Sequence, residues 1–276
     1  MTERTFSCTA LAVAYMRAVH QVRDESPRIL DDPYAMPLLG DTHFQTIDDY
    51  FKAYPPEDEA GSRTHVVLRS RYAEDRLAQA RARGVSQYVV LGAGLDTFSI
   101  RCPRWAQDLF ILEVDHAGTQ EVKHGLIAAA QLPVASNARF GPVDFEHESL
   151  TEGLIRHGID LAKPTFFSWL GVTMYLPETA VDAVLQQVGK FPRGSEIVLT
   201  FAPRGRLETA TAERVARIGE PWLTFLEPDE LKAKLHGFSF STVEFLSRPE
   251  AETRYPHSLF AALPDDWHPN VCAAVV

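Results

Sequence analysis

The chain reads as a single α/β domain, a parallel sheet covered by helices on both faces with a helical extension in front of it. Three observations predict this. Short apolar runs alternate with stretches of helical periodicity through the middle of the sequence. A glycine-bearing turn, Leu91-Gly92-Ala93-Gly94-Leu95, comes directly after the first strong apolar run. The first sixty residues, broken at Asp31-Asp32-Pro33-Tyr34 and again at Tyr54-Pro55-Pro56, read as an appendage to the main domain.

Thr9 to Val22 is rich in Ala, Leu and Val, carries Arg17 and His20, and reads as a helix. The extension is expected to span residues 1–60 and the main domain 61–276. Ser62 to Arg83 reads as one long helix stopped by Gly84. Val67, Tyr72 and Leu77 lie near one face of it, and Arg63, Arg69, Arg71, Arg76, Arg81 and Arg83 stud the others. Strands are expected at Gln87–Leu91, Leu109–Val114, Phe140–Val143, Thr165–Trp169 and Glu196–Phe201, with helices at Gln120–Ala130 and Glu178–Gly189. In the last third, Ala202 to Pro221 is polar and helical and Pro228 to His236 forms another helix. Phe238–Phe245 and Asn270–Val275 read as terminal strands.

Composition narrows the function classes. The 276 residues carry 27 Lys and Arg against 37 Asp and Glu, a net charge of −10. Such a chain lacks the basic footprint of a nucleic-acid binder. It has no apolar run long enough for a membrane span. Arg4, Arg17, Arg23, Asp24 and Glu25 crowd the start and argue against a signal peptide, so a cytoplasmic location is expected. Cys8, Cys102 and Cys272 form no CxxC and imply neither a disulfide framework nor a metal site.

The sharpest signal is the loop Gly92-Ala93-Gly94-Leu95-Asp96-Thr97. Two glycines let backbone approach a ligand where a Cβ would collide. Asp115 closes the second apolar run about 20 residues past the loop, the spacing at which a carboxylate reaches both ribose hydroxyls of an adenosine. A nicotinamide dinucleotide wants a third glycine where Thr97 stands. S-adenosylmethionine has the adenosine without the pyrophosphate and needs only the first part of the loop. Asp144, in Pro142-Val143-Asp144-Phe145, comes after the third strand, where it or its backbone meets an adenine edge.

Taken together, these segments resemble the leucine carboxyl methyltransferase-like family of class I S-adenosylmethionine-dependent methyltransferases, in its bacterial polyketide carboxyl O-methyltransferase branch. The resemblance runs over nearly the whole chain. It rests on Arg17-Ala18, Asp32-Pro33-Tyr34-Ala35, Leu38-Leu39-Gly40, Arg69-Ser70-Arg71-Tyr72-Ala73-Glu74-Asp75 and Val90 to Thr97. It continues through Glu113-Val114-Asp115 with Lys123 beyond, Pro142 to Phe145, Gly171 to Leu176 and Gly219-Glu220-Pro221-Trp222. It implies a Rossmann-like, mostly parallel seven-stranded sheet. It also implies that Gly92 and Gly94 line the methionine part of the cofactor, that Asp115 holds the ribose, and that Asp144 and Phe145 bracket the adenine. Arg69, or Arg71 in its stead, reaches the cofactor carboxylate. Leu170 stands where many members have Glu beside the cofactor, and Phe98 stands where Arg commonly comes after the Thr.

The activity expected is methyl transfer to a small-molecule carboxylate, phenol or hydroxyl in secondary metabolism, by a monomer or homodimer. A carboxylate acceptor is already ionised at neutral pH, whereas a phenol profits from a base. His65 and His257 are the candidates for that base by position, and Tyr175 could place a hydroxyl at the acceptor. Tyr175, Trp222 and Arg254 are the expected substrate contacts. An NAD-dependent oxidoreductase and a non-catalytic cofactor-binding protein are the competing readings.

Overall fold

A computed structural model of the chain describes residues 7–52 and 56–276, with the side chains of Pro56, Glu57 and Asp58 outside that description. The break expected at Tyr54-Pro55 therefore lies outside the described residues. Two helices come first, α1 (Cys8–Arg23) and α2 (Ala35–Phe51), and then the long α3 (Pro56–Ala82). The remaining elements are β1 (Gln87–Leu91), α4 (Phe98–Arg101), β2 (Phe110–Asp115), α5 (Ala117–Ala129), β3 (Ala138–Pro142), α6 (Leu150–Arg156), β4 (Thr165–Trp169), α7 (Glu178–Val188), β5 (Glu196–Thr200), α8 (Arg206–Arg217), α9 (Pro228–Gly237), β6 (Thr242–Phe245), α10 (Arg248–Arg254) and β7 (Val271–Val275).

The seven strands form one sheet in the order β3-β2-β1-β4-β5-β7-β6. The β1–β2, β1–β4, β2–β3 and β4–β5 pairs are parallel, and β7 runs antiparallel to both its neighbours. This is the mostly parallel seven-stranded sheet with helices on both faces. Every residue of β1, β4 and β5 is buried, as expected of strands covered on both faces. Adjacent residues alternate between two apolar layers. Tyr88, Val90 and Phe166 pack with Val67, Tyr72 and Leu77 of α3 on one face. Val89, Leu91 and Phe167 pack with Val181, Val184 and Leu185 of α7 on the other.

A third cluster joins the extension to the sheet. Tyr15, Ala18 and Val19 of α1 meet Leu38 and Leu39 of α2, Val66 of α3, and Leu95 beside the glycine turn. A polar network runs through the same seam. Arg17 is 3% exposed, donates to the carbonyl of Leu95, and pairs with Asp32 at 3.3 Å and Asp96 at 3.7 Å. The extension is thus bonded directly to the loop after β1.

The structure adds to the sequence reading and departs from it in several places. The stretch 35–51 is helical although Pro37 and Gly40 interrupt it. Proline is tolerated in a first turn, where its missing N–H has no partner to lose, and the helix bends at Gly40. The long helix begins at Pro56 rather than Ser62. Of the span 202–221 only α8 is helical. Among the described residues no helix is long and apolar enough to cross a membrane.

Candidate active site

The strand order reverses between β1 and β4, so the loops after those strands diverge and leave a crevice at their carboxyl ends. A cleft of about 1060 Å³ lies there. Gly92 and Gly94 form its floor at positive φ, 67° and 49°. Gly92 is held by its N–H to the carbonyl of Val114 at 2.9 Å, and a Cβ on it would collide with the side chain of Val172. Two constraints, conformation and space, therefore require glycine.

Asp115 ends β2 and lines the cleft. Its Oδ2 accepts from the Gly94 N–H at 2.6 Å and its Oδ1 from the His116 N–H at 2.7 Å. Burial raises its pKa even against these donors, which lower it. A carboxylate oxygen has two lone pairs, so each retains acceptor capacity toward the cleft.

Arg69, on α3, lines the same cleft and is 7% exposed. Its guanidinium lies against Gly171, and among the described residues it has no hydrogen-bonded or ion-paired acceptor. Burial pushes its pKa down to about 10, and Arg17 adds to that. A buried guanidinium without an anion is a costly arrangement unless a ligand supplies one. Arg71 is the correction: it points away, pairs with Asp75 at 3.0 Å, and is not part of the cleft wall.

Asp144, Phe145 and Leu170 line the cleft as well. Burial would raise the Asp144 pKa, but it is held low by the Glu146 N–H and by His147, both at 2.9 Å. Phe145 meets Trp169 edge-on at 6.3 Å between centroids. Tyr175 and Trp222 are also in the wall and face each other edge-on at 6.3 Å. Burial raises the Tyr175 pKa. Among the described residues the buried Trp222 indole N–H has no hydrogen-bond partner.

Besides Arg71, two expected site residues lie elsewhere. His257 caps a short turn, its Nδ1 accepting from the Leu259 N–H at 3.1 Å, with Nε2 3.3 Å from the carbonyl of Glu25. Its capping role takes it out of the cleft wall. Arg254 pairs with Glu250 at 2.7 Å and stacks over Tyr72, also outside the wall. His65, the other histidine considered as a base, does line the cleft.

Sequence reasoning missed the part played by Glu220, which lines the cleft. Glu220 caps α1: its Oε1 accepts from the Cys8 N–H at 2.6 Å and its Oε2 from the Thr9 hydroxyl at 2.5 Å and the Thr9 N–H at 3.2 Å. The signal was the Gly219-Glu220-Pro221-Trp222 segment, which carries an acid but nothing that names its partner. Also missed was the full burial of Glu113 and Lys123, which form an ion pair behind the loop at 0% exposure each.

Residues 10–189 match the family model described as leucine carboxyl methyltransferase. YktD of Bacillus subtilis, named as a candidate S-adenosyl-L-methionine-dependent methyltransferase, is 31% identical over 90% of this chain and 90% of its own. A protein of the same description from Saccharopolyspora erythraea is 34% identical over 69% of this chain and 66% of its own. Among solved structures, a candidate methyltransferase from Thermobifida fusca covers 99% of this chain and 95% of its own, with TM-score 0.60 and 18% identity. A DUF574 protein from Streptomyces avermitilis covers 96% and 95%, with TM-score 0.59 and 16% identity.

Proposed function

The chain belongs to the leucine carboxyl methyltransferase family and is an S-adenosyl-L-methionine-dependent methyltransferase; from that premise we propose that it O-methylates a small-molecule carboxylate, phenol or hydroxyl in secondary metabolism. The observation that carries the cofactor assignment is Arg69, a buried cation that opens onto the cleft with no anion of its own among the described residues. When bound, S-adenosylmethionine supplies an electrophilic methyl group on a sulfonium, open to in-line displacement by the acceptor oxygen.

The chain's residues divide the work. Arg69 offers a planar fork of donors to the amino-acid carboxylate. Asp115 accepts from the ribose hydroxyls while its bond to Gly94 fixes the loop. Asp144 and Phe145 bracket the adenine, and Gly92, Gly94 and Leu170 line the rest. The described part of the extension, α1 and α2, serves as a cover: Glu220 pins the start of α1, and exclusion of water sharpens every electrostatic contact within. Orientation in a closed cleft can supply about 7–11 kcal/mol of the barrier. Tyr175 and Trp222 face the acceptor.

The dinucleotide reading is disfavoured by Thr97. It is fully buried, donates to Asp32 Oδ2 at 2.7 Å, and is bonded by Arg101 Nε at 3.1 Å, so no bare backbone stands where a pyrophosphate would pass. Calorimetry with S-adenosylhomocysteine and NAD tests the assignment: the first is expected to bind and the second not. Tight binding of NAD alone would overturn it.

A further inference from the structure

β4 ends at Trp169, which pairs with Leu199, and its parallel neighbour β5 runs one residue further, to Thr200. Beyond Trp169 the chain leaves the sheet and turns at Gly171, whose φ is 75°. The Gly171 N–H is thereby lost to the ladder, and it donates instead to the Thr200 hydroxyl at 2.7 Å. Two residues on, the Thr173 hydroxyl donates to the Thr200 carbonyl, also at 2.7 Å. Both threonines are buried, and neither is part of the cleft wall. Two bonds from outside the cleft thus tie the turn after β4 to the end of β5.

That turn carries much of the site. Gly171 receives the Arg69 guanidinium, Val172 covers Gly92, and Tyr175 lies in the wall. With no acceptor bonded to Arg69 among the described residues, the backbone of Gly171 is what its planar head rests on. A side chain that must meet a ligand in one geometry needs a support held in place by bonds of its own. Resting on the reading of Arg69 as the holder of the cofactor carboxylate, we propose that Thr200 is a positioning residue: its hydroxyl fixes the Gly171 turn, and through it the orientation in which Arg69 meets that carboxylate. Valine at 200 keeps the branched shape that suits a strand but brings no oxygen, so the Gly171 N–H loses its acceptor and the turn its anchor. The adenosine end is untouched by this, since Asp115 and Asp144 follow other strands, β2 and β3.

Calorimetry on the full chain tests this with S-adenosylhomocysteine and with methylthioadenosine, which lacks the amino-acid carboxylate. In Thr200→Val the first is expected to bind about 3- to 10-fold more weakly, the size of one hydrogen bond, and the second to change by less than about twofold. Thr200→Ser, which restores the hydroxyl, should bind both as the parent does. In an Arg69→Met background Thr200→Val should cost nothing further, because two changes that act on one contact do not add. A threonine that merely supports the fold would weaken both ligands and add to Arg69→Met. Undiminished S-adenosylhomocysteine binding in Thr200→Val, equal losses for the two ligands, or additivity with Arg69→Met each overturn the proposal. Thermal unfolding checks that the valine variant is folded; if it is not, Thr173→Val, which removes the other bond, is held to the same outcomes. If Arg69→Met itself fails to separate the two ligands, the Arg69 reading falls and this proposal with it. If the parent binds no S-adenosylhomocysteine, the cofactor reading falls before any variant is made.

Discussion

The guanidinium of Arg69 lies against the backbone of Gly171, so close that a Cβ at 171 would sit 2.7 Å from Nη2. The glycine after β4 and the arginine of α3 therefore need each other: one removes its side chain so that the other can reach the cleft. That contact separates Arg69 from Arg71, two residues away in sequence, which spends its charge on Asp75 at the surface.

If Arg69 holds the amino-acid carboxylate, Arg69→Met should weaken S-adenosylhomocysteine binding by about 10- to 100-fold, the range of a charge-assisted hydrogen bond or two. Methylthioadenosine, which lacks that carboxylate, should bind the variant and the parent alike. Calorimetry with both ligands checks this, and Arg71→Met should leave both affinities alone. Equal losses for both ligands would mean that Arg69 shapes the cleft rather than gripping the carboxylate.

Asp115→Ala removes both the ribose acceptor and the tether on Gly94. The expected loss is about 2–4 kcal/mol, or roughly 30- to 1,000-fold in S-adenosylhomocysteine affinity. Asp115→Asn keeps one acceptor oxygen and should fall between. Undiminished binding in the alanine variant would place the ribose elsewhere.

Much of the fold was legible because period and burial agreed. Gln87–Leu91 and Thr165–Trp169 read as strands from apolar runs alone, and the structure keeps those bounds. The short helices were not read, although their caps are written in the sequence. Ser149 with Glu152 and Ser247 with Glu250 have the spacing of a capping box, and both serine hydroxyls accept the expected N–H. Seven-residue helices simply carry too few turns for periodicity to register. In the site, Gly92, Gly94 and Asp115 were legible because a local turn and one strand end place them. Arg69 was favoured over Arg71 by the resemblance alone; its contact with Gly171, and the Glu25 carbonyl beside His257, are tertiary relationships far off in sequence that no local pattern shows.

The Glu113–Lys123 pair is wholly buried, and burial pushes the Glu113 pKa up while Lys123 pulls it back. Such pairs contribute little net but are costly to break on one side. Lys123→Met should destabilise the chain by about 3–5 kcal/mol in urea unfolding, because it strands a buried carboxylate. Adding Glu113→Gln should recover a large part of that loss. A single variant as stable as the parent would show that the pair is solvated or dispensable.

His65 also makes a prediction about acid stability. Its ring ordinarily titrates near 6.5, and in the folded chain burial holds it to about 3. Above 6.5 it is neutral in both states and has no effect on the balance. Below 6.5 the unfolded chain takes up a proton that the folded chain refuses, so the native state loses ground as pH falls toward 3. The slope from one such group approaches about 1.4 kcal/mol per pH unit. His65→Gln cannot titrate, so its stability should fall less steeply than the parent's between pH 6.5 and pH 4.5. Urea unfolding of the two proteins at matched pH isolates the difference, because the carboxylates they share cancel. Parallel stability curves would mean that the ring is protonated as readily in the fold as out of it.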